Sequence, residues 1–496
     1  MKLAWFKQRL IFSVLLLLLL LGSMGSRSLV AQSDERTAKV DKLFAQWDKS
    51  DSPGCALAVV NDGRIVYQRG YGMADLEQDV PITPASVFYV GSVSKQFTAF
   101  TVALLAQQGK LSLDDDVRKY IPELPNFGAP ITIRHLVHHT SGLRDYYTLL
   151  DLAGRRGDEA FNNQDVLDIA VRQKELNFKP GTQFLYSNTG YGMLAVVVER
   201  VTKKKLSAFA EENIFAPLGM TESHFHDDLT RIVKRHVYAY APKRGGGFQL
   251  DTPYVERSGA GGVFTTVEEL FKWDQNFYDA RVGGEALINQ VQTPGVLADG
   301  KPLDYAFGLR MTTYKGQRVV EHGGSLGGYR AQITRFPDQK FSVIALCNLG
   351  TINPGRLAYQ VAEIYLADRL KQEATASAPT NVAQPPPRPQ PEAGRALTAA
   401  QLAEYVGEYY SEELQTTYKV VGEGDKLSVK RRNRPDSALT PTIKDTFTLG
   451  GLSFNFNRDG QKRITGFKLD AGRVRNLRFV KKHVAQSVRL RNAQQR

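Results

Sequence analysis

Apolar and polar positions along this chain follow two rhythms, one of about 3.6 residues and one of two, and the rhythm breaks at glycine, proline and asparagine. Val40, Leu43, Phe44 and Trp47 sit at helical spacing in residues 34–49, and Ser52-Pro53-Gly54 stops that helix. Ala56 to Val60 and Ile65 to Tyr71 flank Asn61-Asp62-Gly63, which predicts a β-hairpin with Asp-Gly in its turn. Phe97, Ala99, Phe100, Val102, Ala103, Leu104 and Leu105 predict a buried helix that begins after Gly91 and ends near Gly109. Further helices are expected from Asn163 to Phe178, Tyr191 to Val201, Thr266 to Phe277 and Arg356 to Leu370. Tyr305 to Met311, Arg318 to Glu321, Tyr329 to Phe336 and Phe341 to Cys347 read as strands, the later ones forming an antiparallel meander. From Leu402 to Val480, short alternating runs are broken at Gly422-Glu423-Gly424-Asp425, Arg458-Asp459-Gly460 and Ala471-Gly472. That pattern predicts a small β barrel or sandwich of roughly 80 residues.

Composition changes this picture at the two ends. Lys2, Lys7 and Arg9 precede an apolar run from Leu10 to Leu21, and Val30-Ala31-Gln32 offers a cleavage site. The run is short for a span of ~20 residues, so residues 1–31 read as a secretory signal peptide. An uncleaved signal anchor is the alternative, because Leu29 is large for its place in the cleavage site. Either way the bulk of the protein is expected to be exported, periplasmic or extracellular. Residues 372–396 are rich in Pro, Ala and Gln and read as an extended linker between a main domain over 32–371 and a small β domain over 397–485, with a basic tail over 486–496. The net charge is +13, but 19 Lys/Arg against 10 Asp/Glu from Gln401 onward give +9, and residues 1–27 give +4. The middle of the chain is therefore neutral, which argues against a nucleic-acid binder. A solvated basic face is the simplest account of the C-terminal excess; an anionic envelope polymer or membrane surface is the alternative. Cys55 and Cys347 are the only cysteines. That excludes a disulfide framework or thiolate metal cluster, and two independent buried thiols are the default.

The candidate chemistry starts at Ser92 and Lys95, three apart and so one helical turn from each other. A serine hydroxyl is a poor nucleophile until a base takes its proton, and a partly desolvated amine can be that base. Ser94 is the weaker nucleophile candidate because it points to a different face. Tyr186 can shuttle a proton, and Asn188 can hold the lysine or a substrate carbonyl. His322-Gly323-Gly324, on a strand, lets a substrate backbone approach closely. The backbone N–H groups of Ser92 and Ser325 are the candidate oxyanion donors. His135, His138 and His139 resemble zinc spacing but have no acidic residue among them, so structural hydrogen bonding is expected and no metal or other cofactor. Asp114-Asp115-Asp116 reads as the acidic first turn of a helix. Ser258 to Val263 is glycine-rich, yet it has neither the lysine nor the spacing of a phosphate loop.

As an ordered set, Ser92/Lys95, Tyr186/Asn188 and His322/Gly324 resemble the motifs of the β-lactamase and penicillin-binding serine hydrolases, in their class C-like branch. Leu136 to Leu143 and Gly261 to Thr266 are also typical of that family, and the resemblance covers about residues 36–370. It implies an α/β (α+β) fold, with an antiparallel sheet flanked by helices beside an all-helical region and the site between them. It implies that Ser92 attacks a carbonyl to form an acyl-enzyme, that Lys95 and Tyr186 share the proton work, and that Asn188, His322, Gly324 and Ser325 bind substrate. His322 stands where many relatives have lysine, and Gly323 lacks a hydroxyl that Ser325 would have to replace. These departures lean away from an efficient β-lactamase and toward a D-alanyl-D-alanine carboxypeptidase, D-aminopeptidase or esterase. The implied partner is a small-molecule or peptide substrate of peptidoglycan type; the oligomeric state is open. A non-catalytic cell-wall sensor is the rival of another class. The family fold would also lay the strand starting at Cys55 beside the strand ending at Cys347, which makes a disulfide there the alternative to two free thiols.

Overall fold

The computed structural model describes residues 35–155, 159–254, 256–370 and 397–482. The leader, linker and basic tail expected at 1–31, 372–396 and 486–496 lie outside the described residues. At the centre is a six-stranded antiparallel sheet made of β1 (Cys55–Asn61), β2 (Arg64–Tyr71), β3 (Arg310–Tyr314), β4 (Gln317–Leu326), β5 (Tyr329–Phe336) and β6 (Phe341–Cys347), in the order β3-β4-β5-β6-β1-β2. The N-terminal hairpin thus pairs with the last strand of the meander, closing the sheet from both ends of the main domain.

Strand β1 is buried on both faces, and its alternation sorts residues between two layers. Ala56, Ala58 and Val60 face the helical layer that holds Val90, Val93 and Phe97. Cys55, Leu57 and Val59 face Val40 and Phe44 of a helix over 35–44, and Leu357 and Val361 of a helix over Pro354–Tyr365. The helix Val267–Asp279 is tied to the sheet by a buried ion pair, Arg335 Nε to Asp274 Oδ1 at 2.7 Å. Cys55 stands directly opposite Cys347 in the β1/β6 register, and the two form a disulfide. The default of two free thiols is therefore corrected.

Two predicted elements differ. The helix expected over 163–178 stops at Val171. The residues after it are drawn out to brace their neighbours: Gln173 Oε1 accepts the Arg144 N–H, and the Asn177 N–H binds the Gly142 carbonyl. The strand expected from Tyr305 begins at Arg310 instead, because Tyr305–Leu309 forms a turn in which the Ala306 N–H reaches the Leu309 carbonyl.

The C-terminal β region is a closed barrel of eight strands. Its interior is packed with Tyr409, Tyr418, Phe447, Phe454, Phe467 and Phe479, all buried. The barrel sits on the helical layer of the main domain. Arg144, fully buried, pairs with Glu413 of the barrel at 2.5 Å and donates to the Arg475 carbonyl at 3.0 Å. Tyr418 OH donates to the Leu152 carbonyl at 2.7 Å, and Asn177 both gives a bond to the Arg473 carbonyl and takes one from the Arg475 N–H. Such a buried, hydrogen-bonded interface fixes the barrel's orientation more than it adds stability.

Candidate active site

The turn that carries Ser92 is a 3₁₀ turn, Gly91–Ser94, running straight into helix α1, Lys95–Gln107. Gly91 has φ +52°, and a Cβ there would fall 2.6 Å from the Ser325 nitrogen. A Cβ on Gly324 would fall 2.0 Å from the Val90 carbonyl oxygen. These two glycines let strand β4 press against the serine turn. Leu326 pairs with Tyr329 across the two-residue turn Gly327-Gly328. By the alternation of antiparallel pairs, Ser325 is then a non-hydrogen-bonded position whose N–H faces away from β5, on the side the serine turn occupies. The Ser92 and Ser325 N–H groups are thereby brought together at one end of one cavity.

Lys95 Nζ lies 3.1 Å from Ser92 Oγ, 2.9 Å from Asn188 Oδ1 and 2.6 Å from the Ala260 carbonyl. The side chain is fully buried. Burial drives its ammonium well below the usual range; the Arg473 guanidinium adds to the fall and Asp145 opposes it. Asn188 is fixed in turn, because Asp145 Oδ2 accepts from its backbone N–H at 2.7 Å and its Nδ2 at 2.8 Å. That carboxylate settles which way the amide points and leaves Oδ1 for the lysine. Two of the three atoms around Nζ are carbonyl oxygens, which can only accept. A neutral amine spends both its N–H groups on them, and its lone pair then faces Ser92 Oγ.

Tyr186 precedes the helix Asn188–Thr202, and its phenol lines the same cavity as Ser92. Burial pushes that phenol up, with Ser92 and Arg473 opposing. His322 is buried, and burial lowers it to about 3, so its ring is neutral. Its Nδ1–H donates to the Gly323 carbonyl at 2.6 Å, and its Nε2 accepts from Tyr305 OH at 3.0 Å. The ring thus holds strand and tyrosine in place at the cavity wall.

Ser92, Tyr186, Asn188, His322, Gly324 and Ser325 line one cavity of about 750 Å³, and Lys95 backs it through Ser92 and Asn188. The structure brings together every site residue read from the sequence. Ser94 stays apart, donating to the Gly91 carbonyl at 2.7 Å and accepting from the Val263 N–H at 3.0 Å. The three histidines do not converge. His135 closes a capping box with Thr132, His138 packs edge-on to Phe307, and His139 takes the Ser187 N–H on Nδ1 and lies tilted against Tyr186, with ring centroids 4.2 Å apart. Among the described residues no cluster of His, Cys, Asp or Glu could hold a metal ion.

Four participants escape the sequence reading. Asp145 and Tyr305 orient Asn188 and His322, and the Ala260 carbonyl holds the lysine. Arg473 enters from the barrel, on the two-residue turn between strands Ile464–Ala471 and Val474–Lys481, and Gly472 and Arg473 line the cavity. Asp145 has one signal, its place just after the family-like Leu136–Leu143 stretch. Arg473 shows only a turn.

A hydroxyl whose neighbouring base is a dry amine, set between an antiparallel sheet and a helical layer, defines a serine hydrolase of the β-lactamase fold. The chain belongs to the Beta-lactamase family, whose model matches residues 40–366. It is 29% identical to penicillin-binding protein 4* of Bacillus subtilis over 440 residues, 84% of this chain and 92% of that one. It is 31% identical to a D-aminopeptidase of Cereibacter sphaeroides over 323 residues, 65% of this chain, and spans 61% of that relative's length. Among solved structures, the octameric penicillin-binding protein homologue from Pyrococcus abyssi matches 91% of this chain and 100% of its own, with a TM-score of 0.59 at 22% identity. The D-amino acid amidase from Ochrobactrum anthropi matches 68% of this chain and 99% of its own, also at 0.59 and 22%. At these identities the two structures share the fold.

Proposed function

We propose that the protein is an exported hydrolase that works through an acyl-enzyme on Ser92, acting on D-amino-acid peptides, amides or esters. The observation that carries this is the Lys95–Ser92 pair: a fully buried amine 3.1 Å from an accessible hydroxyl, with both its other contacts to carbonyl oxygens. Lys95 takes the Ser92 proton as Oγ attacks the substrate carbonyl. The Ser92 and Ser325 N–H groups receive the negative charge that develops on the carbonyl oxygen. Tyr186, in the same cavity and next to Lys95, relays the proton that Lys95 has taken up to the leaving group, and water then releases the acyl group by the reverse relay.

The substrate class is supported by the relatives, which include a penicillin-binding protein and D-aminopeptidases. Esterase activity or weak β-lactamase activity on the same serine is the nearest alternative. Export is supported by the leader-like residues 1–31 and by the Cys55–Cys347 disulfide, a bond that persists in oxidising compartments. Protease accessibility of the protein in intact and osmotically shocked cells checks it, and a fully protected cytoplasmic pool would count against export. For the chemistry, the test is a fluorophosphonate probe and a labelled penicillin on the wild type and Ser92→Ala, followed by a panel of p-nitrophenyl esters, D-amino-acid anilides, D-Ala-D-Ala peptides and nitrocefin. Labelling that depends on Ser92 is expected; no adduct with either probe would point to a non-catalytic binder.

A further inference from the structure

The cavity's charges are unequal in availability. Arg310 is paired with Asp304 at 3.1 Å, and Arg330 Nη1 gives two bonds of 2.7 Å to the Gly327 and Tyr329 carbonyls. Both thus serve the walls. The Arg473 guanidinium lies 4.7 Å over the Tyr186 ring, one phenol away from Ser92, and makes no side-chain hydrogen bond among the described residues. Its nearest carboxylate, Asp145 Oδ2, is 3.9 Å away and already accepts two bonds from Asn188. The guanidinium is held in place through its own backbone, whose carbonyl accepts from Asn177 Nδ2 at 2.9 Å. It is 28% exposed. A planar, loosely paired guanidinium in a partly dry cavity is the geometry that takes a carboxylate bidentately.

The carboxylates of the same cavity are not free to serve a substrate amine. Asp145 is occupied by Asn188. Glu321 is buried, accepts from Gln332 Nε2 at 2.8 Å and Thr334 Oγ1 at 3.1 Å, and is pushed up by burial. His322, the other candidate receptor for an anion, is neutral.

We propose that Arg473, carried into the cavity by the barrel's last hairpin, is the receptor for a substrate carboxylate, so that the site favours acyl-peptides ending in a free carboxylate over substrates that present a free amine. This rests on the hydrolase reading above. The barrel is then half of the binding site rather than an appendage, and Arg473 is its specificity residue.

The experiment compares kcat/KM for N-acetyl-D-alanyl-D-alanine, its C-terminal carboxamide and D-alanine p-nitroanilide, with p-nitrophenyl acetate as a neutral reference. All are run on the full-length wild type, Arg473→Gln and Arg473→Lys at one pH. The wild type is expected to prefer the acid to the carboxamide, and the acid to the free-amine anilide. In Arg473→Gln the acid-to-carboxamide ratio is expected to fall about 10- to 100-fold, mostly through KM, the size of a charge-assisted hydrogen bond to a carboxylate. Arg473→Lys should recover part of the ratio. Because the ratio is internal to each variant, partial misfolding cancels. A wild-type preference for the carboxamide or the anilide, a ratio unchanged in Arg473→Gln, or turnover of the neutral ester with none of the peptides overturns the proposal while leaving the hydrolase reading standing. Ester turnover that persists in Ser92→Ala sinks the hydrolase reading itself.

Discussion

Two hairpins with two-residue turns reach the same cavity from different domains, and they are built on opposite plans. The β4–β5 hairpin, closed by Gly327-Gly328, brings backbone: His322, Gly323, Gly324 and Ser325 lie against the serine turn so tightly that a Cβ on Gly324 would overlap Val90. The barrel's last hairpin, closed by Gly472-Arg473, brings a charged side chain into open space. A Cβ on Gly472 would meet nothing within 4 Å. One hairpin is a wall that positions the reacting atoms and tolerates no added atom. The other is an arm that can vary in what it carries. Chemistry and selectivity are thus held by separate parts of the chain, and the two meet at Lys95, which touches Ser92 directly and feels the Arg473 charge.

The largest expected effect lies at that meeting point. Lys95→Ala removes the base, and kcat/KM on any ester substrate should fall by about 10²–10⁴. A rate within a few fold of wild type would assign proton abstraction elsewhere. Next comes the contrast between the hairpins themselves. Gly324→Ala must displace β4 from the Val90 carbonyl and so misplace the Ser325 N–H; a loss of about 10²–10³ in kcat is expected, the scale of one oxyanion donor. Gly472→Ala faces only the backbone cost of its φ of +53°, roughly 1 kcal/mol, and should change kcat by a few fold at most. Equal losses in both would erase the distinction between wall and arm.

A smaller effect has a sign that tests the arm's reach. Lys95 must be neutral to act, so the acid limb of the kcat/KM profile follows its ionisation. Arg473 lowers that ionisation and Asp145 raises it. With a neutral ester as substrate, Arg473→Gln should move the acid limb to higher pH and Asp145→Asn should move it to lower pH. Shifts in the same direction, or no shift in either, would detach the barrel from the proton chemistry.

The wall was legible in the sequence and the arm was not, for a physical reason. Ser92 and Lys95 meet because a helical turn places residues three apart on one face, a relation that spacing states outright. The β6 strand was read with its observed limits because burial on both faces leaves an unbroken apolar run. The alternation of Phe307 and Leu309 predicts a strand from Tyr305, while the turn that aims the Tyr305 hydroxyl at His322 depends on contacts made later in the chain. Arg473 is an ordinary turn residue in a basic barrel until Asn177 and the buried Arg144–Glu413 pair dock that barrel. Docking depends on a surface match between two finished folds, and no local periodicity encodes it.

The smallest effect on activity, and the one that tests how far the wall's rigidity extends, concerns the disulfide. Cys55 and Cys347 lie opposite each other at the end of β1 and β6, on the face turned toward the terminal helices. Across β5, Cys347 is also the register partner of Arg330, which lines the cavity. The bond closes a loop of 292 residues in sequence separation, so its main contribution is to restrict the unfolded chain, about 2–5 kcal/mol for a bridge of this kind. Cys55→Ser/Cys347→Ser should therefore melt several degrees lower, yet keep kcat/KM near wild type at temperatures where circular dichroism shows it folded. The hydrogen-bonded strand ladder still holds the register in the absence of the sulfur bridge, and the glycine contacts at the serine turn are made by β4, two strands away. A fall in activity that tracks loss of the bond in fully folded protein would mean that the wall's geometry is transmitted through Arg330 from the sheet's far face, and that the backbone hairpin is no more autonomous than the arm.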